Sequence, residues 1–368
     1  MKKISLIKTH LSAFGKHNSS VLELSLQTSL FCLEGIDKKS IDLLVFTSFA
    51  PENYTSEYHL AAKLADRLGL RKDIFCIRTE TASSSGASAL HTAIYLLRTG
   101  KFKNALVVGT EIMSRFDREK NNLLLGSVLS DTQRGFAMSM AQGAALLTNR
   151  YLHQYKYSKD DLFYIAEKLH SIGAQNPKAH IQKKITKEDY FSAPIFSYPL
   201  GLYDISPLSD GSCAIMLSTS MDSDMQILGI GSGRASFSIS EEPSFPSSVI
   251  AFHEAYKEAN LKPSDIQIAE LHDAFTPFEV IGAEDAGLFA KGEALQKIVS
   301  GITHPDGQLP VNASGGLKTR GHPIGASGLA QIAELCRLMN QKNKNIGLAH
   351  SIGGLATNNF ATILEKTK

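Results

Sequence analysis

Three polar residues stand at equivalent places along the chain: Ser83 and His322 each before a helix-like stretch, Ser351 after an apolar strand read as the last of the second half. Residues 83–100 read SSSGASALHTAIYLLRTG and residues 322–339 read HPIGASGLAQIAELCRLM. At a constant offset of 239, Gly86, Ala87 and Ser88 fall on Gly325, Ala326 and Ser327. A fold with that internal symmetry can bring the two helix starts face to face. Helix N-termini concentrate free N–H donors and positive partial charge. A hydroxyl at one start and an imidazole at the other then suit acyl transfer, which needs a nucleophile, a base and oxyanion donors at one point.

The elements that position these groups follow from the repeat. Leu90, Ala93, Ile94 and Leu97 fall on Leu329, Ile332, Ala333 and Cys336, the i, i+3, i+4, i+7 spacing of one buried helical stripe occurring twice. Upstream, GIDKKSIDLLVFTSF (35–49) parallels NLKPSDIQIAELHDA (260–274) at an offset of 225, so about 14 further residues lie in the Gly-rich stretch before His322. Downstream, NALVVGTE (104–111) parallels NIGLAHSI (345–352). Each half reads strand, helix, strand, helix, strand, which predicts mostly parallel sheets covered by helices.

Residues 119–199 have no counterpart in the second half. They contain an amphipathic stretch at 160–170 and, between residues 151 and 191, seven lysines against five acidic residues. The segment reads either as a solvated insertion or as a lid offering positive charge to an anionic substrate. The expected division is 1–118 plus 200–222 for the first half, 119–199 for the inserted lid, and 223–368 for the second half.

Composition narrows the class. The 368 residues carry 38 basic and 36 acidic side chains, a net +2, with 43% hydrophobic and 20% charged residues. That balance argues against a nucleic-acid partner, and no apolar run reaches the ~18 residues of a membrane span. Only four cysteines occur, widely spaced at 32, 76, 213 and 336, without a CxxC pair or zinc spacing. No metal is expected. A reduced compartment is, and with no apolar leader at the first residues the expected location is cytoplasmic.

The segment NASGGLKTRGHPIGASG (312–328) resembles the Asn-x-x-Gly-Gly…Gly-His-Pro-x-Gly-Ala-Ser-Gly motif of the thiolase superfamily. GTEIMS (109–114) and SDGSCAIML (209–217) are similar to two further thiolase stretches. LHDAF (271–275), AHSIGG (349–354) and KLH…NPKAH (168–180) resemble the sterol-carrier-protein-type and archaeal branch, with acetyl-CoA acetyltransferases among its members. The resemblance implies a thiolase fold: two similar βαβαβ halves in a five-layered α-β-α-β-α arrangement with an inserted helical lid. It places His322 on the family's catalytic histidine and marks His272, His350 and Ser351 as further site residues. Lys168, His170, Gly316 and Gly353 fall in segments expected to contact substrate.

The resemblance also sets the functional expectations. They are an acyltransferase of lipid metabolism that handles an acyl-CoA by Claisen condensation or thiolysis, with no tightly bound cofactor, as a homodimer or tetramer. The family's nucleophilic Cys falls on Ser83, and the second acid/base Cys of degradative thiolases on Ser351. A thiol of pKa about 8.5 ionises readily near a helix start, whereas an alcohol must lose its proton as it attacks. Weak thiolysis is therefore expected. Cys76, within FCI, is a poor substitute. The alternatives are a non-catalytic acyl-CoA-binding or partner-supporting subunit, or a ketoacyl synthase, against which the His-Asp-x-Phe and Gly-His-Pro spacings argue.

Overall fold

The computed structural model describes residues 3–367. Strands β1 (Ser5–Leu11), β2 (Leu43–Thr47), β3 (Phe75–Thr79) and β4 (Asn104–Glu111) alternate with helices α1 (Val21–Cys32), α2 (Pro51–Thr55), α3 (Leu60–Leu68) and α4 (Ser85–Arg98). Between β4 and the later β7 come α5 (Arg118–Gly126), α6 (Asp131–Gly135), α7 (Met140–Tyr155), α8 (Phe163–Gly173), α9 (Lys187–Ser192) and the hairpin β5 (Ile195–Ser197) and β6 (Leu200–Gly201). The chain continues through β7 (Gly211–Ser218), β8 (Met225–Arg234), α10 (Pro246–Ala259), β9 (Ile268–Glu270), α11 (Pro277–Asp285), α12 (Ala294–Val299) and α13 (Gly316–Arg320). It ends with α14 (Ile324–Lys342), β10 (Ile346–Ser351) and β11 (Asn358–Lys366).

Nine strands form one sheet in the order β3-β2-β4-β7-β1-β8-β11-β10-β9. It is two similar sheets joined edge to edge, for β1 and β8 share only the Ser5–Gln226 register pair. The expectation of mostly parallel sheets is corrected here. Strand β2 is parallel to β3 and β4, and β9 to β10, but β7, β1, β11 and β8 pair antiparallel. The reason is chain length: only residues 352–357 separate β10 from β11, enough for a hairpin and too few for a parallel crossover. Ser351 is accordingly the last residue of β10, and one more strand follows it.

Alternation along β4 accounts for the layering. Ala105 and Val107 face a core shared with Leu90 and Ile94 of α4 and Leu329 and Ile332 of α14, whereas Leu106 and Val108 face a core built with Leu24 of α1 and Leu64 of α3. On the other side, Phe252 and Ala255 of α10 pack with Leu348 of β10 and Ile363 of β11. The layers run α1/α3, first sheet, α4/α14, second sheet, α10/α11. Helices α4 and α14 cross where neither has a side chain. A Cβ on Gly86 would sit 2.7 Å from the Leu329 nitrogen, and one on Gly328 would sit 2.5 Å from the Ala87 nitrogen.

The segment between β4 and β7 is not a solvated flap. Tyr151, Phe163, Ile165 and Leu169 are buried in the core shared with α10 and α11. Among the described residues, no helix is long and apolar enough to cross a membrane.

Candidate active site

Ser83 stands between the end of β3 and the start of α4, where the chain reverses through Ala82 at φ +52°. A left-handed alanine is costly and persists only where neighbours hold it. They do: the Ser85 hydroxyl donates to the Ala82 carbonyl at 2.6 Å, and the Ser84 hydroxyl lies 2.8 and 2.9 Å from the Thr81 and Asn358 carbonyls, which share its one proton. Two of the three serines are therefore consumed by the turn. The third, Ser83, is half-buried and faces a cavity.

His322 precedes Pro323, the residue that caps α14. Its backbone N–H meets the Ser209 hydroxyl at 3.3 Å, and its Nδ1 lies 2.7 Å from the Ser327 hydroxyl. That hydroxyl spends its one proton on the Pro323 carbonyl at 2.8 Å. It can only accept from the imidazole, so Nδ1 carries the ring proton and Nε2 presents a lone pair. The start of α14 is fixed further by Glu111, whose buried carboxylate accepts from the Gly325 and Phe49 N–H groups at 2.9 and 2.7 Å. Burial pushes this carboxyl up to about 7 despite those donors.

His272 follows β9 and sets its ring edge-on to that of His322, with centroids 5.2 Å apart at 88°. Burial holds His322 down to about 3 and puts His272 well below its ordinary value, so both rings are neutral near pH 7. Next to His272, the buried Asp273 carboxylate accepts from the Leu317 and Lys318 N–H groups, tying the strand end to α13. Burial, then the nearby Glu279, pushes Asp273 up to about 7.

Ser83, His272 and His322 line one cavity of about 350 Å³, with Met113, Met140 and Phe275 among its apolar walls. The other expected site residues lie elsewhere. His350 is turned toward α10, where Nε2 meets the Ser248 hydroxyl at 2.8 Å and the ring packs on Phe252. Ser351 is buried at the end of β10 and does not line the cavity.

Lys168 and His170, expected as substrate contacts, do not line this cavity. The Lys168 ammonium is fully buried on the Glu279 carboxylate and the Val311 carbonyl, and the His170 Nδ1 meets the Lys183 carbonyl at 2.8 Å. Lys168 holds the insertion against the second half, whereas the His170 bond lies within the insertion. Gly316, at φ +60°, packs on the Asp273 carboxylate, and Gly353 on the Ser84 hydroxyl, so they support the site from behind. Missed from the sequence were Ser327 and Glu111, both inside quoted motifs, Arg118 at the start of α5, and Phe196 of the insertion, the last two lining the cavity.

A serine hydroxyl before one helix and two imidazoles, one before and one beside another, share one largely apolar cavity between the two halves. The chain belongs to the thiolase family. Family models described as "Thiolase, N-terminal domain" and "Thiolase C-terminal domain-like" match residues 4–221 and 231–366. It is 29% identical to the acetyl-CoA acetyltransferase of Methanothermobacter thermautotrophicus, over 96% of this chain and 97% of that one. It is 27% identical to the steroid side-chain-cleaving aldolase of Thermomonospora curvata, over 88% of each. Its fold matches the structure titled Ltp2-ChsH2(DUF35) aldolase with a TM-score of 0.83 at 24% identity, covering 100% of this chain and 98% of that one. The family is one of acyl-CoA acyltransferases, which act on coenzyme A thioesters without a tightly bound cofactor.

Proposed function

We propose that the protein makes or breaks a carbon–carbon bond next to an acyl-CoA thioester, with Ser83 as acyl acceptor. The observation that carries this reading is the convergence of the Ser83 hydroxyl and two neutral, touching imidazoles on one cavity. The Ser83 oxygen attacks the thioester carbonyl and its proton passes to the His322 Nε2. The C–S bond breaks, and the departing coenzyme A takes that proton. His272 polarises the carbonyl of the second acyl-CoA while the now neutral His322 Nε2 takes its α-proton. The enolate attacks the serine ester, the acyl–oxygen bond to Ser83 breaks, and the proton on His322 returns to the serine oxygen.

Thiolysis runs the other way and is expected to be weak. An imidazole held down to about 3 is a poor base for an alcohol, and a serine ester is more stable than a thioester. His350 and Ser351 serve as support behind the pocket rather than as reacting groups. The units are 1–118 plus 200–222, 119–199 and 223–368. The protein works in lipid metabolism in the cytoplasm as at least a homodimer, paired along the exposed β3 edge at Thr79–Ser83. A strictly monomeric mass by light scattering at micromolar concentration would count against the dimer.

The test is intact mass after exposure to acyl-CoA for the parent, Ser83→Cys and Ser83→Ala. The parent gains acyl mass slowly, Ser83→Cys gains it faster, and Ser83→Ala gains none. A folded Ser83→Cys that gains no acyl mass overturns the nucleophile assignment. Tight acyl-CoA binding without acyl mass in any version is the signature of a non-catalytic subunit supporting a partner.

A further inference from the structure

We propose that the cavity selects an acyl group ending in a carboxylate, and that Arg118 is the residue that recognises it. This rests on the thioester reading above and adds the class of acyl group.

Arg118, Asn122 and Leu125 lie at i, i+4 and i+7 of α5, one face of that helix, and all three line the cavity that holds Ser83, His272 and His322. The Arg118 guanidinium lies over the Phe196 ring, with Cζ 4.4 Å from the centroid. Stacking of this kind fixes the plane of the group and leaves its N–H edge free for a partner. Among the described residues Arg118 belongs to no ion pair, whereas Arg71, Arg78, Arg98 and Arg134 each hold a carboxylate. Among the described residues that line the cavity it is also the one of fixed charge.

Buried imidazoles at one part of the lining and exposed Arg118 at another give the cavity a direction. The thioester sits at the imidazoles, Leu125, Met140 and Phe275 cover an apolar chain, and the guanidinium meets whatever ends it. A single planar guanidinium with a carboxamide beside it matches one carboxylate, two parallel N–H···O bonds to two oxygens. The phosphates of coenzyme A carry several charges and call for a cluster of cations. Lys120, on the same helix, and Lys187 of α9 are placed on the Phe116 and Phe163 rings and do not line the cavity.

The experiment measures calorimetric binding in a Ser83→Ala background, so that no turnover intervenes. Glutaryl-CoA and valeryl-CoA have equal chain length and differ in the terminal carboxylate. Glutaryl-CoA is expected to bind about tenfold tighter or more, the scale of a charge-assisted pair. Arg118→Gln removes that preference, Arg118→Lys keeps part of it, and the N-acetylcysteamine thioesters, which lack phosphate, show the same pattern. The proposal falls if the parent shows no preference for glutaryl-CoA. It also falls if Arg118→Gln weakens both CoA esters equally and spares the N-acetylcysteamine esters, since the guanidinium then holds the coenzyme phosphates. If valeryl-CoA binds without any glutaryl preference, only this inference fails. If neither CoA ester binds, the thioester reading itself fails and takes the inference with it.

Discussion

Helices α4 and α14 begin in the same way within two halves that share a plan, yet their starts are held very differently. At α4 the lead-in spends its hydroxyls on its own turn, with Ser84 and Ser85 bound to the carbonyls of Thr81 and Ala82, and leaves Ser83 facing the cavity. At α14 two neighbours reach in from outside, Glu111 to the Gly325 N–H and Ser209 to the His322 N–H, while Ser327 on the helix's own first turn holds the imidazole. Duplication supplies the geometry, because two helices crossing at Gly86 and Gly328 set their N-termini against one pocket. Divergence supplies the chemistry. On the function proposed above, one start presents the group that reacts, and the other holds a group that must not move.

The comparison breaks first at the imidazole. His322→Ala is expected to slow acyl-enzyme formation by about 10²–10⁴-fold, the usual contribution of a positioned base, measured as the rate of acyl mass gain. An equal rate would mean that the second helix start contributes shape alone. The next effect concerns the insertion, which has no twin. Lys168→Met strands the buried Glu279 carboxylate and should destabilise the fold by about 3–5 kcal/mol in denaturant unfolding, with acyl-CoA affinity unchanged. A loss of affinity without a loss of stability would restore Lys168 as a substrate contact.

Much of this was legible in the residues, and the boundary is physical. The doubled stripe Leu90/Ala93/Ile94/Leu97 and Leu329/Ile332/Ala333/Cys336 is a period-3.6 pattern, and the structure buries both copies in one shared core. Pairing His322 with Ser83 in one cavity followed from the same repeat. Strand direction did not follow, since an apolar run such as AIML (214–217) reads alike whether its neighbour is parallel or antiparallel. Nor did the fate of Lys168: charge counting assumes solvent exposure, and the Glu279 that captures it is 111 residues away. Arg118 escaped for the same reason, because its partner Phe196 is distant in sequence. The register of the crossing was legible only to within a turn, for Gly86 aligns with Gly325 but packs on Gly328. Gly86→Ala tests that crossing. Its Cβ would press on backbone nitrogens at 2.7 and 2.9 Å that cannot rotate away, so a cost of about 1–3 kcal/mol and a lower melting temperature are expected. An unchanged melting temperature would separate the two helix starts.

The smallest expected effect isolates how the imidazole is held rather than whether it is present. Ser327 accepts the Nδ1 proton of His322 because its own proton is committed to the Pro323 carbonyl. Ser327→Ala deletes one neutral hydrogen bond, worth about 1 kcal/mol, and frees the ring to adopt the tautomer with Nε2 protonated. Acyl-enzyme formation should fall about fivefold, and Ser327→Thr, which keeps the hydroxyl, should recover most of it. Because burial depresses the His322 pKa to about 3, the base form persists as pH falls from 8 toward 5. The parent rate should therefore show no histidine limb near pH 6.5, and Ser327→Ala should be lower by the same factor across that range. A limb near 6.5 in the parent would mean that His322 is solvated and free to protonate, and the contrast between a rigid and an open helix start would be lost.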